Sequence, residues 1–80
     1  MKKVSILMTC FNAEKFIKRS IKSALNQKFK NYEIIIVDDG SSDKSPKIIN
    51  NFRNKKLKKF FLKKNIGITK ALNFGLKKCR

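Results

Sequence analysis

Three short apolar runs alternate with three stretches of helical periodicity along this chain. "VSILMTC", residues 4–10, is bounded by charge and predicts a strand buried on both faces. From Glu14 onward, Ile17, Ile21, Ala24 and Leu25 recur at helical spacing, with Lys15, Lys18, Arg19 and Lys22 on the opposite face. That pattern is an amphipathic helix ending near Gln27, and Asn12 suits its N-cap. "EIIIVD", residues 33–38, predicts a second strand, whose unbroken β-branched run fits a parallel sheet covered on both faces. "DGSSD" follows as a turn. Ser45 suits the cap of a second helix with Pro46 at its first position, where a missing N–H costs nothing, and Ile48, Ile49 and Phe52 form its apolar side. "RNKKLKK", residues 53–59, reads as a solvated basic connector, and "FFL", residues 60–62, as a third strand. After a turn at Asn65 and Gly67, a third helix aligns Ile68, Ala71, Leu72, Gly75, Leu76 and Cys79 on one face. Gly75 costs that helix about 1 kcal/mol against Ala, which points to close helix–sheet packing.

The β-α-β-α-β-α order predicts an α/β fold: a Rossmann-like half-domain with a parallel, incomplete sheet joined by right-handed helical crossovers. Eighty residues make one small unit with a thin core. Sheets of this kind usually continue beyond the first strand, so "VSILM" is expected to present a bare apolar edge. The chain is therefore expected to be the N-terminal part of something longer, and the sequence leaves open whether Arg80 is a natural end. The opening lysines and apolar run resemble a signal peptide. The run is short, however, carries Ser5 and Thr9, and passes into Asn12 and Glu14 without a small-residue cleavage site.

Charge narrows the function classes. Lys and Arg number 21 against 5 Asp and Glu, a formal net charge of +16, which favours polyanionic partners such as nucleic acid, anionic lipid headgroups or phosphorylated ligands. There is no histidine, which excludes a His-based triad, and Cys10 and Cys79 lack metal-ligand spacing, so both read as reduced, buried thiols. Phe16, Phe29, Tyr32, Phe52, Phe60, Phe61 and Phe74 mostly fall at core-patterned positions, and the lysines are spread over several elements. A stacking platform for nucleic acid is not expected. Most lysines sit opposite apolar stripes and read as a solvated face, with an anionic membrane surface as the further partner.

Three of the five acids, Asp38, Asp39 and Asp43, gather where the second strand ends. In a parallel sheet all strand carboxyl ends meet one rim, and ligands bind there. That rim collects Thr9, Phe11 and Asn12, then Asp38, Asp39, Gly40 and Ser41, then Asn65 and Gly67. An aromatic face can stack on a base, a carboxylate can accept from a ring N–H or a ribose hydroxyl, and glycine admits close backbone approach. Each residue also has a plainer use: Asp38 and Asp39 as turn residues, Phe11 as core, Asn12 as N-cap, Asn65 and Gly67 as turn chemistry. The dinucleotide fingerprint is absent, since "TCFNAEKF" holds no glycine after the first strand, and no P-loop Gly-Lys-Ser/Thr occurs.

Four ordered blocks, "TCFN", "SALNQ", "VDDGSSD" and "NIGITKALNFGL", make nearly the whole chain resemble the start of family 2 glycosyltransferases, the inverting enzymes of the GT-A fold. The resemblance implies that residues 1–80 are the N-terminal, donor-nucleotide-binding portion of such a domain, cut before the family's Asp-x-Asp motif. It implies a nucleotide-diphospho-sugar donor, with Phe11 packing on the base, Asp39 at the base edge and Asp38 positioning the ribose or the turn. Thr9 and Asn12 belong to the same first loop, and Asn65 and Gly67 to the diphosphate or sugar side. A uracil or thymine base suits the carboxylate, and guanine stays open. The parent is expected to displace the diphosphate with an acceptor hydroxyl, inverting the anomeric carbon, with Mg²⁺ or Mn²⁺ in the full-length protein and none bound by these residues. The acceptor would be a surface glycan or lipid-linked glycan, and the location cytoplasmic or at the inner face of the membrane. No catalytic base maps onto this chain, so these residues alone are not expected to catalyse transfer. The rival readings are a small basic polyanion-binding module and a non-functional gene fragment.

Overall fold

The computed structural model describes residues 4–28 and 30–79. Six elements follow one another: β1 (Val4–Cys10), α1 (Ile17–Leu25), β2 (Tyr32–Asp38), α2 (Ser45–Asn51), β3 (Leu57–Phe61) and α3 (Ile68–Lys78). The strands form one parallel sheet in the order β1-β2-β3. The β-α-β-α-β-α reading of the sequence is the observed fold.

Strand β2 is central and buried along its whole length. Its alternation divides the core in two. Ile34 and Ile36 face Ile17 and Ile21 of α1 and Ile49 of α2. Ile35 and Val37 face Ala71 of α3 on the other side. An unbroken Ile-Ile-Ile-Val run is what a strand between two helical layers requires. Helix α3 packs over both β1 and β2, reversing the direction in which the strands were laid down. In open α/β sheets such a reversal marks the ligand crevice.

Gly75 is buried against β1, and a Cβ there would lie 2.3 Å from Leu7 Cδ1, so the close packing read from this glycine is present. Strand β1 is an edge strand whose residues before Cys10 are partly exposed, with Val4 at 45%, so burial on both faces does not hold for it. Ile68 and Leu76 of α3 are also largely exposed, and only Ala71 and Gly75 of that helix are fully buried. Phe29, expected at a core position, lies outside the described residues.

Two element starts differ from the sequence expectation. Helix α1 starts at Ile17 because the chain first makes a turn in which the Ala13 carbonyl accepts from both Phe16 N and Ile17 N. Phe16, expected in the core, is consequently 67% exposed. Strand β3 starts at Leu57, inside the stretch read as a solvated connector. Its lysines are not simply solvated: Lys58 Nζ pairs with the buried Glu33 carboxylate at 2.9 Å, and Lys59 Nζ donates to the Phe52 carbonyl at 2.6 Å. Long lysine stems cover apolar surface while the ammonium reaches a partner. Phe61, at the end of this strand, is 43% exposed.

Candidate functional site

All three strands end at one rim, and backbone hydrogen bonds tie the ends together. Asp39 N donates to the Cys10 carbonyl at 2.8 Å, and Leu62 N donates to the Asp38 carbonyl at 2.9 Å. A cleft of about 520 Å³ opens there, lined by Thr9, Cys10, Phe11, Ala13, Asp39, Asn65, Gly67 and Ile68. Five of the seven sequence candidates line it: Thr9, Phe11, Asp39, Asn65 and Gly67. Phe11 is 50% exposed, which leaves ring surface available to a ligand.

Asp39 is the most constrained of the five. It is buried, and its carboxylate draws in the segment after β3: Oδ2 accepts from Asn65 Nδ2 at 3.0 Å and Gly67 N at 3.1 Å, and Oδ1 from Ile66 N at 2.8 Å. A carboxylate offers about four acceptor positions, so three donors leave roughly one for a ligand. Gly67 adopts φ 94° to aim its N–H, in a region where a side chain would be strained. Gly40, at φ 68°, lets the two loops touch, because a Cβ there would sit 2.4 Å from Asn65 N.

Asp38 and Asn12 are not among the cleft-lining residues. Asp38 is buried and shapes the turn, its two oxygens accepting from Ser41 N at 3.0 Å and from Ser41 Oγ at 2.6 Å. Asn12 is not an N-cap, since α1 begins at Ile17. It adopts the left-handed region at φ 48°, donates its N–H to Ser41 Oγ and accepts from Ser42 N at Oδ1, both at 2.8 Å. Asn tolerates that backbone better than most residues. These two residues thus fix the first loop against the second.

Ser45 does not cap α2. It is the helix's first residue, fully buried, and its Oγ accepts from Ala13 N at 3.0 Å. Asp43 completes the seam, accepting from Ser45 N at 2.9 Å and Glu14 N at 3.1 Å. Desolvation, the largest single influence, raises the Asp43 carboxyl, but the hydrogen bonds from Ser45 and Glu14 together prevail and hold it below its ordinary value. Burial pushes the Cys10 thiol up, against a smaller lowering by the Ser45 hydroxyl, so Cys10 is a neutral thiol at pH 7 and not a nucleophile. Cys10, Ala13 and Ile68 are the cleft residues the sequence reading did not single out as candidates. Cys10 ends β1, Ala13 lies in the loop after it and Ile68 starts α3, and those places beside the named candidates are the signal that could have found them.

Among the described residues no group of three or more His, Cys, Asp and Glu could hold a metal ion. The two acids at the rim already accept from N–H and O–H donors. These residues therefore do not fit a divalent-metal site.

A family model, "Glycosyl transferase family 2", matches residues 5–80. An uncharacterized glycosyltransferase of Haemophilus influenzae is 46% identical over 79 residues, covering 96% of this chain and 32% of that protein. The crystal structure of Staphylococcus aureus TarS 1-349 in complex with UDP superposes with a TM-score of 0.88 at 34% identity, over 99% of this chain and 25% of that one. A mannosyltransferase from Pyrobaculum calidifontis, solved with GDP-Man and Mn²⁺, shares the fold with a TM-score of 0.88 at 19% identity, over 98% of this chain and 24% of that one. The chain thus spans about a third or less of the length of these proteins.

Proposed function

This chain belongs to glycosyl transferase family 2, and on that premise we propose that it builds the nucleoside-holding part of a donor site for a nucleotide-diphospho-sugar. The observation that carries this reading is the rim cleft, where a half-exposed aromatic ring and a buried, oriented carboxylate line one opening. In this reading Phe11 stacks on the base and the remaining acceptor position of Asp39 takes a ring N–H. Uracil and thymine present such a group, and TarS, 34% identical, was solved with UDP. Thr9 offers a hydroxyl to the ribose side. Asn65 and Gly67 hold Asp39 in place, and Asp38 and Asn12 shape the two loops beneath.

Among the described residues the cleft lining contains no Lys or Arg, so these residues suit a base and ribose better than a diphosphate. The transfer step, with an acceptor hydroxyl displacing the diphosphate and inverting the anomeric carbon, belongs in our proposal to the whole enzyme. Mg²⁺ or Mn²⁺ would there neutralise the leaving group, and the acceptor would be a surface glycan or its lipid-linked precursor. Nucleotide-sugars place that reaction in the cytoplasm. No helix among the described residues is long and apolar enough to cross a membrane.

The test is an NMR titration of the chain with UDP, dTDP, ADP and inorganic pyrophosphate. Uridine and thymidine nucleotides should shift the amides of Thr9, Phe11 and Gly67, and the response should survive high salt. Phe11→Ala should weaken binding about tenfold, since stacking on an aromatic is worth roughly 1–3 kcal/mol per base. Equal shifts from pyrophosphate, or an unaffected Phe11→Ala variant, would show charge attraction and refute the reading.

A further inference from the structure

We propose that the outer face of α1 is a docking surface for an anionic lipid bilayer. Lys15, Lys18, Arg19 and Lys22 follow helical spacing and line one groove of about 560 Å³ on that face. Lys47 of helix α2, in the same layer, and Lys44 just before that helix are also exposed. Phe16 stands at the amino end of the stripe with 67% of its surface exposed, because α1 starts one residue later and Ile17 takes the core position instead. An aromatic ring beside a row of cations is the composition with which a surface helix enters the boundary between headgroups and acyl chains.

The distribution of acids strengthens the field. Glu33, Asp38 and Asp39 are buried, and Asp43 accepts from two backbone N–H groups. The exposed Glu14, with an oxygen 3.4 Å from Lys44 N, and the half-buried Asp43 are the acids at the amino end of this layer. The cations outnumber them, and Lys18, Arg19 and Lys22 are exposed further along α1. A nucleic acid strand would also be attracted. However, α1 offers one aromatic at the end of its stripe, not the succession of rings on which single-stranded bases stack. The cleft residues take no part, so this inference stands or falls apart from the donor-site reading.

The test is flotation of the chain with vesicles of phosphatidylcholine containing 30% phosphatidylglycerol (about the charge density of an anionic leaflet) and with phosphatidylcholine alone. Binding should require the anionic lipid. Each basic residue near such a surface contributes roughly a fivefold factor. The variant Lys18→Glu, Arg19→Glu, Lys22→Glu should therefore lose affinity by at least about 100-fold. Its circular dichroism should stay unchanged, since all three side chains are solvent-exposed. Phe16→Ser should weaken the binding that persists at 0.5 M salt, where charge attraction is screened over about 4 Å. The control is Lys63→Glu, Lys70→Glu, Lys77→Glu, three exposed residues in α3 and in the loop before it. It should retain most of the affinity. An equal loss in the control would reduce the effect to net charge and overturn the proposal. Failure to float with anionic vesicles would overturn it too, as would displacement from vesicles by a stoichiometric oligonucleotide, which would reassign the face to nucleic acid.

Discussion

Replacing Asp39 by Ala should cost this fold about 3 kcal/mol, a large share of the 4–12 kcal/mol expected for a domain of this length. The reasoning starts from three donors, Asn65 Nδ2, Ile66 N and Gly67 N, which all lie within 3.1 Å of the carboxylate. A hydrogen bond to a charged group contributes about 1.5–3 kcal/mol, which sets an upper bound near 9 kcal/mol. The Asn65 side chain can rehydrate, because Asn65 is exposed, so the cost falls mainly on the two backbone N–H groups. Urea denaturation measures it. With a slope of about 1 kcal/mol/M for a small domain, the midpoint should drop by about 3 M. Asp39→Asn retains one acceptor oxygen and should fall between. Native-state hydrogen exchange in that variant should show lost protection at Ile66 and Gly67 while the β2 amides stay protected. A midpoint shift for Asp39→Ala below about 0.5 M would mean that the carboxylate does not hold the loop, and the account of the site would fail with it.

Four further outcomes follow from the geometry. Gly40→Ala should destabilise by about 2–3 kcal/mol in the same denaturation assay, combining a left-handed backbone with a Cβ 2.4 Å from Asn65 N. Gly75→Ala would gain about 1 kcal/mol in an exposed helix, yet here the approach to Leu7 and Val37 should reverse the sign and lower the melting temperature. Asp43 is held below its ordinary 3.8, so its contribution is fully present above that pH and lost as pH falls below it. Acid titrations of wild type and Asp43→Asn should therefore converge at the acid end. Iodoacetamide at pH 7.5 should modify Cys79 well before Cys10, which is 3% exposed and whose thiol burial pushes up. Mass spectrometry of the two peptides reads the order.

The central strand and the helical layers were legible because their apolar periodicities are long and consistent. Strand β3 was harder to see, since its lysines read as solvent-facing while Lys58 and Lys59 in fact reach a buried carboxylate and a carbonyl. No local pattern announces such partners, which are distant in the chain. Phe16 misled for a related reason: the helical pattern was read from Glu14 onward, but a turn closed on Ala13 delays the helix to Ile17. At the rim, residue types pointed to the right place and not to the division of labour. Asp38 and Asp39 are adjacent and alike, and only the fold shows that one accepts from Ser41 and the other from the segment after β3.

The seam between the first two loops has a kinetic meaning. Asn12, Ala13 and Glu14 bond to Ser41, Ser45 and Asp43 across 29 to 32 residues, and each contact needs the β1–β2 pairing already in place. Non-local contacts of this kind form late and together. The Asn12–Glu14 side of the cleft should therefore have no half-assembled state: it appears when the chain folds and is lost when the chain unfolds. A small molecule that fills the cleft must then raise the melting point of the entire chain, by an amount set by its concentration relative to its dissociation constant. A thermal-shift screen of nucleotides would thus read occupancy of this cleft directly as global stability.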